Sequence, residues 1–431
     1  MNIEEWTANA NESVTLSLVG KDENNVDFHP TFTYPIYGNT ELIYGYKDLS
    51  IDIKLDKTSL LPFVNVKYTE KLPDVERAFI AAKAKETEDD NNVEANIEDE
   101  VDNSSSTNDP LSQLLKFMNK EDTIFTSSED SEEHEGNQLK KWQQSRREPF
   151  QVPGIVINSF SIDTKNGPER YSLFKTDLES ARLLHSRLRL FVLLFIEAGS
   201  YIDVTDDRWE LYILYKVNNE TSVPEEFVGF TTVYPYFWYS TGVQHDSEPE
   251  PNAIRKRISQ FVILPPFQGK HLGARLYNAL FDQFLEDKNV REVTVEDPSE
   301  AFDDLRDRCD LERLYKQGKL WPQLKLPLDP DWVVDMRTEN KMAPRQFDRC
   351  LEMAFLQLFS AGKPDKRYRL YVKNRLYIRN SEALGDLDKL SQIDKLHETY
   401  ERLIEDYQRI LSKVSFQTDR KGKKRVFEDS N

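Results

Sequence analysis

The sequence predicts an α+β fold in three parts: a strand-rich N-terminal domain, a central mixed sheet with flanking helices, and a C-terminal helical domain. Three observations indicate this order. Apolar and polar residues alternate over residues 14–82, as they do in half-buried strands. Residues 258–295 have the pattern of strand, loop, helix and strand, which is a βαβ crossover. After Leu311 the spacing of apolar residues becomes helical.

The charge of this 431-residue chain is concentrated in one segment. Residues 86–136 contain seventeen Asp or Glu against two Lys, and so supply −15 of the formal charge of −19. Because nucleic-acid binding needs clustered Lys and Arg, we expect no direct nucleic-acid binding and favour a basic partner. The longest uncharged apolar run is seven residues, far below the roughly 20 of a membrane span, so we expect no membrane association.

Composition also places the domain boundaries. We predict a strand-rich domain over 1–85, an acidic disordered insert over 86–148, a central domain over 149–315 and a helical domain with a basic tail over 316–431. The insert has too few apolar residues to offset the entropy of ordering it. Its short apolar stretch, residues 111–118, is either a transient helix that docks a partner or part of an idle spacer.

In the central domain, the sequence predicts a series of strands and helices. The patterns predict a strand over 152–160, a helix that starts at a capping box over 176–179, an antiparallel hairpin of 210–217 and 226–234, a strand over 258–264 that stops at two prolines, a helix over 272–286 and a strand over 292–295.

The C-terminal region carries a heptad-like apolar set. Its members are Ile393, Leu396, Tyr400, Leu403, Tyr407 and Ile410. This spacing predicts a helix that buries one stripe against the preceding segment of the same chain, with an intermolecular coiled coil as the alternative. Residues 420–425 form a basic cluster that is either a nuclear-import signal or a solubilising end.

The loop over 268–274 is the first candidate for chemistry. It lies between a predicted strand and a predicted helix, where free backbone N–H groups and the helix dipole favour a phosphate. Glu296 ends the next predicted strand, and parallel strands that flank one helix end on the same side of a sheet. A carboxylate beside a phosphate loop suggests group transfer with a general base. Asp297, which precedes Pro298, has the alternative role of capping the next helix.

Six segments together resemble the Gcn5-related N-acetyltransferases, and more closely the type B histone acetyltransferase catalytic subunits. They are residues 36–47, 195–203, 207–209, 234–236, 259–274 and 295–299. The resemblance covers most of the chain outside the acidic insert and the extreme C-terminus.

The resemblance implies a histone acetyltransferase whose central domain uses acetyl-CoA as cosubstrate and no metal. Its implied substrate is lysine in the N-terminal tail of newly synthesised histone H4. A WD-repeat histone chaperone is the implied partner subunit. The implied location is the nucleus and cytoplasm, with links to chromatin and DNA repair. Neither Cys309 nor Cys350 lies in a motif that would form an acetyl-enzyme, so we expect direct transfer.

The resemblance also assigns roles to individual residues. It implies that Glu296 is the general base, with Glu197 and Asp297 as helpers. The implied cofactor-binding residues are Phe261, Val262, Ile263, Gln268, Gly269, Lys270, His271, Leu272, Gly273, Ala274 and Ser299. The implied substrate-binding residues are Asn39, Thr40, Glu41, Trp209, Tyr234 and Tyr236.

His271 departs from the family's loop, which reads Gln-x-x-Gly-x-Gly. If this position needs a positive φ, histidine adds strain there. Two other functions therefore stay open. A histone-binding scaffold with an inactive loop would account for His271, and a small-amine acetyltransferase would make Trp209 and Tyr236 core aromatics.

Overall fold

The computed structural model describes residues 3–21, 25–89, 109–165, 167–239, 242–247, 252–359 and 364–416. The predicted basic cluster over 420–425 lies outside the described residues, as does part of the predicted acidic insert, residues 90–108.

Within the described residues the strands all precede residue 296. They are β1 Thr7–Asn9, β2 Val14–Val19, β3 Asn25–Phe28, β4 Leu42–Tyr44, β5 Tyr46–Lys47, β6 Ser50–Asp56, β7 Pro62–Lys67, β8 Glu70–Lys71, β9 Ile124–Ser127, β10 Ile155–Thr164, β11 Gly167–Asp177, β12 Glu210–Val217, β13 Pro224–Phe237, β14 Ile254–Ile263 and β15 Val290–Val295.

Helices are interspersed with the strands and dominate the C-terminal region. They are α1 Ala10–Ser13, α2 Tyr34–Tyr37, α3 Asp74–Asp89, α4 Pro110–Leu115, α5 Glu132–Ser145, α6 Arg182–Phe195, α7 Gly242–Ser247, α8 Leu272–Glu286, α9 Glu300–Gln317, α10 Pro330–Glu339, α11 Pro344–Leu358, α12 Lys366–Arg379, α13 Ser381–Gly385 and α14 Lys389–Leu411, with short 3-10 turns at Ile3–Trp6, Pro265–Phe267 and Trp321–Gln323. No helix within the described ranges has the length and apolarity to cross a bilayer.

The elements confirm the α+β class. The chain divides into a first unit, Met1–Pro235 with Ile258–Leu272, and a second unit, Tyr236–Arg257 with Gly273–Asn431. The predicted four-domain division stays a prediction. In the first unit a five-stranded sheet has the order β3-β2-β6-β7-β9. Its central strand β6 lies parallel to β2 and antiparallel to β7.

A second sheet has the order β10-β11-β12-β13-β14-β15. The predicted hairpin is confirmed as the antiparallel pair β12 and β13. Gly229 of β13 lies so close to β14 that a Cβ atom there would be 2.3 Å from the carbonyl oxygen of Val262, so only glycine fits. In the second unit Ile254 N donates to Asn289 O and Thr294 Oγ1 donates to Lys256 O, contacts that advance in the same direction along both strands. This is the predicted crossover, in which α8 connects β14 to β15.

At the start of the central domain one prediction is confirmed and another is wrong. The strand predicted over 152–160 is present as β10, and it forms an antiparallel hairpin with β11, which the sequence reading missed. The predicted capping box over 176–179 ends β11 instead of starting a helix, because Asp177 accepts a hydrogen bond from Ser180 N in a turn. The helix begins later, at Arg182.

The prediction that residues 86–148 are disordered is wrong for residues 109–148. Strand β9 pairs in parallel with β7 and completes the five-stranded sheet. Trp142 of α5 is 2% exposed, packs against a cluster that includes Phe63, and donates its Nε1–H to Leu61 O at 3.0 Å. Net charge misled the prediction because basic side chains elsewhere in the first unit pair with these acids. Arg187, for example, donates two hydrogen bonds to Asp122.

The helices of the second unit confirm the predicted partner of the heptad-like stripe. Helix α14 contacts α12, α11 and α9 of the same chain. The stripe is covered except at its N-terminal end: Tyr400, Tyr407 and Ile410 are buried, whereas Ile393 is 56% exposed.

We predict that Trp142→Ala lowers the free energy of unfolding by about 3–5 kcal/mol, as expected for truncating a large aromatic side chain in a core. Urea denaturation of the full chain followed by circular dichroism measures the change. Asn137→Ala, at an exposed position of the same helix, is the matched control and leaves stability nearly unchanged. Equal small effects of both variants would show that α5 is not packed on the sheet.

Candidate functional site

The turn from β14 to α8 has the strand-loop-helix geometry that the sequence predicts. After β14 the chain forms the 3-10 turn Pro265–Phe267, and α8 begins at Leu272. The side-chain amide of Gln268 donates to Ile263 O at 2.8 Å and closes the turn. Residues 268–271 are exposed. The backbone N–H of Gln268 donates to Pro265 O at 3.2 Å within the turn. The exposed residues 269–271 directly precede the helix N-terminus, the environment that an anion prefers.

The predicted cofactor residues differ in what their side chains can reach. Val262 and Leu272 are buried, at 2% and 1% exposure, so only their backbone groups are available to a ligand. Phe261 and Ile263 are half-buried. Gly269 has a φ of +72°, and a Cβ atom built there would meet nothing within 4 Å, so the space above the loop is open.

His271 adopts a φ of +61°. The condition under which histidine adds strain at this position is therefore met. A side chain with a Cβ atom is strained there, since the Cβ approaches the following carbonyl oxygen.

The predicted substrate residues Trp209 and Tyr234 lie together in the first unit. Their rings meet edge to face with centroids 4.8 Å apart. The Tyr234 hydroxyl donates to Asp206 Oδ2 at 2.7 Å, and the Arg208 guanidinium lies 4.8 Å from the Tyr234 ring centroid.

Asp206 is the centre of this cluster, and sequence reasoning missed it. Arg208 donates two hydrogen bonds to its carboxylate, at 2.9 and 2.6 Å. Bonds from Arg208, and secondly from Tyr234, hold the pKa of Asp206 well below its usual range. The signal that could have found it is the acidic loop Asp203, Asp206 and Asp207 next to an aromatic residue.

Another predicted substrate residue, Glu41, uses its carboxylate within the protein. Oε1 accepts from Thr33 N at 2.7 Å and from Tyr34 N at 3.1 Å, and Oε2 accepts from the Asn11 side chain at 2.6 Å. Glu41 thereby fixes the turn that also contains Asn39, which is exposed, and Thr40, whose hydroxyl accepts from Leu42 N.

Tyr34 links this turn to the predicted helper Glu197, which is exposed just beyond the end of α6. The backbone N–H of Ala198 donates to the Tyr34 hydroxyl. Sequence reasoning missed Tyr34, because nothing in its local pattern shows that it would reach α6.

The predicted base Glu296 lies in the second unit, directly after β15. Its side chain is 42% exposed, and its Oε1 is 3.9 Å from Arg257 Nη1. The Arg257 guanidinium lies 4.7 Å from the ring centroid of Tyr236, another predicted substrate residue. In the second unit, the Arg257 guanidinium thus lies near both the Glu296 carboxylate and the Tyr236 ring.

The alternative role given to Asp297 is wrong. The residue that caps α9 is Ser299, whose hydroxyl accepts from Phe302 N at 3.3 Å. Asp297 instead has a φ of +30°. The Asp-Pro pattern misled because Pro298 lies outside the helix, which begins at Glu300.

Left-handed backbone is frequent at the predicted site residues. Among the non-glycine residues with positive φ are Glu41, Ala198, His271 and Asp297. Three of these are predicted site residues and Ala198 follows one. Such strain persists only where surrounding contacts hold it, and it concentrates at functional sites.

Comparison with known proteins gives two family matches. Residues 6–197 match the family described as "Histone acetyl transferase HAT1 N-terminus", and residues 307–360 match "Fungal HAT1, C-terminal".

Full-length relatives are also similar to the chain. A protein of Debaryomyces hansenii named "Histone acetyltransferase type B catalytic subunit" is 38% identical over 95% of this chain and 90% of its own length. A Candida albicans protein of the same name is 38% identical over 97% of this chain and 93% of its own length. A solved aminoglycoside acetyltransferase, meta-AAC0020, is 16% identical and covers 35% of this chain and 87% of its own, with a TM-score of 0.22.

We predict that His271→Gly raises the free energy of unfolding by about 1 kcal/mol, because glycine removes the strain of the positive φ. Thermal and urea denaturation of the full chain measure the change. Lys270→Gly is the matched control: its φ is not positive, so glycine there lowers stability by roughly 0.5 kcal/mol. A loss of stability in His271→Gly would contradict the prediction.

Proposed function

We propose that this chain, which belongs to the family of histone acetyltransferase type B catalytic subunits, transfers acetyl groups to lysine side chains in the N-terminal tail of newly synthesised histone H4. The observation that carries the proposal is the 38% identity over 95% of the chain to a relative of that name. The chain is accordingly an acyltransferase. We propose in addition that the substrate is the H4 tail, that a glutamate acts as general base, and that the lysine amine attacks the acetyl group directly.

The loop over 268–271 supports acetyl-CoA as the cosubstrate. It is exposed, its glycine has open space above it, and it precedes a fifteen-residue helix. These features fit a pyrophosphate, which accepts hydrogen bonds from backbone N–H groups at a helix start. When bound, acetyl-CoA supplies the thioester that is the acetyl donor. We assign its binding to the backbone of 261–263, to residues 268–274 and to Ser299.

Glu296 is the proposed general base. A lysine amine has a pKa of about 10.4, so near pH 7 roughly one molecule in a thousand is neutral and able to attack. The amine nitrogen forms its bond to the acetyl carbon as the carbon–sulfur bond breaks, and the amine proton passes to the carboxylate. Partial exposure leaves Glu296 accessible to this proton. Glu197 and Asp297 are the proposed helpers.

Direct attack is supported by the state of the two cysteines. Both are buried, and burial raises the pKa of the Cys309 thiol to about 12. A thiol needs its thiolate form to act as a nucleophile. Neither cysteine is therefore suited to carry the acetyl group.

The substrate side is proposed to read a cationic tail. In the first unit, Asp206 bonds the Tyr234 hydroxyl beside the Trp209 ring. Asp203 and Asp207 add negative charge to the same loop. Such a surface attracts a lysine-rich peptide and accelerates its approach. We assign Asn39, Thr40, Glu41 and Tyr236 to the same task.

We further propose a WD-repeat histone chaperone as partner subunit, and residence in nucleus and cytoplasm with links to DNA repair. Family membership supports these assignments. The basic cluster over 420–425 is a candidate import signal.

We predict that Glu296→Gln lowers kcat by about 10²–10⁴-fold, because the amide accepts no proton. The measurement is acetyl transfer from labelled acetyl-CoA to an H4 tail peptide, with acetyl-CoA binding measured separately and unchanged. Glu300→Gln is the matched control, since this side chain is 89% exposed in the first turn of α9, and it retains activity. Wild-type binding of the peptide without transfer would instead favour the scaffold function.

We predict that Asp206→Asn raises KM for the tail peptide several-fold, about 3–10, because the Tyr234 hydroxyl and Arg208 lose an ionised acceptor worth roughly 1 kcal/mol or more. Asp207→Asn removes the same charge from the same loop and therefore measures the contribution of long-range attraction alone. We expect it to change KM by less than about twofold. The double variant Tyr234→Phe with Asp206→Asn raises KM by less than the two single effects predict when their free energies are added. Equal effects of Asp206→Asn and Asp207→Asn would contradict a positioning role for Asp206.

A further inference from the structure

A cavity of about 540 Å³ lies in the second unit, where the first turns of α11 meet α12. It is distinct from every residue assigned above to acetyl transfer. Its volume falls within the roughly 300–1,000 Å³ of small-molecule sites. Three arginines line it: Arg345 of α11, and Arg375 and Arg379 of α12.

The three arginines differ in their partners. Arg375 donates two hydrogen bonds, at 2.6 and 2.7 Å, to the fully buried carboxylate of Glu352 and is thereby neutralised. Within residues 364–416 and the other described ranges, the side chains of Arg345 and Arg379 make no hydrogen bond or ion pair. Both residues are exposed and line the cavity.

These cations also oppose each other. Desolvation, and then the guanidinium groups of Arg345, Arg375 and Arg349, lower the pKa of Arg379. Guanidinium groups that line one cavity repel each other. An anion between Arg345 and Arg379 would remove that repulsion.

The surrounding charge has the same sign. Helix α12 contains six Lys or Arg and no Asp or Glu, in a chain whose net charge is −19. The positive end of the α11 helix dipole adds to this charge. The N-cap residue of α11, Ala343, makes no side-chain cap hydrogen bond there. Asp348 is the one carboxylate on the cavity wall, and burial raises its pKa.

The remaining walls favour an organic group. The Tyr371 ring is half-buried and the Ile378 side chain is 64% exposed, so both present apolar surface to the cavity. Asn374 adds an amide that both donates and accepts. A bare phosphate ion would leave these apolar surfaces in contact with water.

We propose that this cavity binds a phosphomonoester attached to a planar or apolar group. A phosphomonoester carries a charge of about −1.5 to −2 at pH 7, which matches the two guanidiniums without carboxylate partners. Arginine forks bind phosphate oxygens bidentately. The attached group packs against Tyr371 and Ile378. Its source is either a free small molecule or a phosphorylated side chain of a partner protein.

Calorimetric titration of the full chain with phenyl phosphate tests the proposal. We expect saturable binding, with inorganic phosphate at least about tenfold weaker because it lacks the apolar group. A phosphotyrosine peptide and its unphosphorylated form distinguish the sources. Tighter binding of the phosphopeptide than of phenyl phosphate assigns the site to a partner protein, and equal or weaker binding assigns it to a free small molecule.

Variants locate the binding. Arg345→Gln and Arg379→Gln each weaken phenyl phosphate binding by about tenfold or more, since each removes a charged hydrogen bond. Arg369→Gln, on an exposed face of α12 outside the cavity, is the matched control and leaves binding unchanged. Asp348→Asn tightens binding. Without ligand, Arg379→Gln does not lower Tm, because it removes repulsion instead of a contact.

Three results would overturn the proposal. One is the absence of saturable binding by every phosphate ester. Another is an equal loss in Arg379→Gln and Arg369→Gln, which would indicate general attraction to a basic helix. The third is binding that survives Arg379→Gln but is lost in Gly269→Asp, which would place the phosphate at the cofactor loop.

Discussion

The abrupt end of β14 is the constraint on which the candidate cofactor site depends. Proline cannot donate to a sheet, so the ladder stops where Pro265 and Pro266 begin, after Leu264 N has donated to Val228 O at 3.0 Å. The chain must then turn back within a few residues to start α8. It does so with left-handed backbone at Gly269 and His271. The turn that follows the end of β14 therefore leaves backbone N–H groups exposed at the start of a helix.

Carboxylates hold the other turns of the site. Glu41 accepts from two successive backbone N–H groups, and Asp206 accepts from Arg208 and Tyr234. Ionised acceptors make stronger hydrogen bonds than neutral ones. They can therefore keep loops in conformations that their own residues disfavour, as at Glu41 itself. An acidic residue at such a site has two tasks, to attract a cationic substrate and to fix the surface that receives it.

Local patterns predicted the elements of the crossover well and the long-range pairings poorly. Helix α8 begins and ends at the residues predicted, and β12 does as well, because glycine, proline and apolar spacing mark their ends. Strand β11 was missed although it forms a local hairpin with β10, because the pattern over 176–179 was interpreted as a helix start. The folded segment over 109–148 was missed because its pairings join residues far apart in sequence. Its few apolar residues, such as Trp142, are sufficient only because a sheet from elsewhere in the chain covers them.

The candidate site shows the same division. The loop over 268–274 and Glu296 could be found because they follow strands, and a strand end is visible in sequence. Asp206 and Tyr34 could not, because their roles come from hydrogen bonds to residues 28 and 164 positions away. Sequence reasoning therefore finds the groups that could carry chemistry more readily than the groups that position them.

The helical second unit shows why an unpaired charge is informative. Its buried carboxylates are met by arginine: Arg349 bonds Asp307, and Arg375 bonds Glu352. Burying a charge without a partner costs several kcal/mol, so these pairs are what the fold requires. Arg345 and Arg379 stand outside that requirement. They are exposed, line one cavity, and could be replaced without breaking any side-chain hydrogen bond or ion pair seen among the described residues. A fold gains nothing from such an arrangement, whereas a phosphate ester that enters from solvent finds two donors already in place.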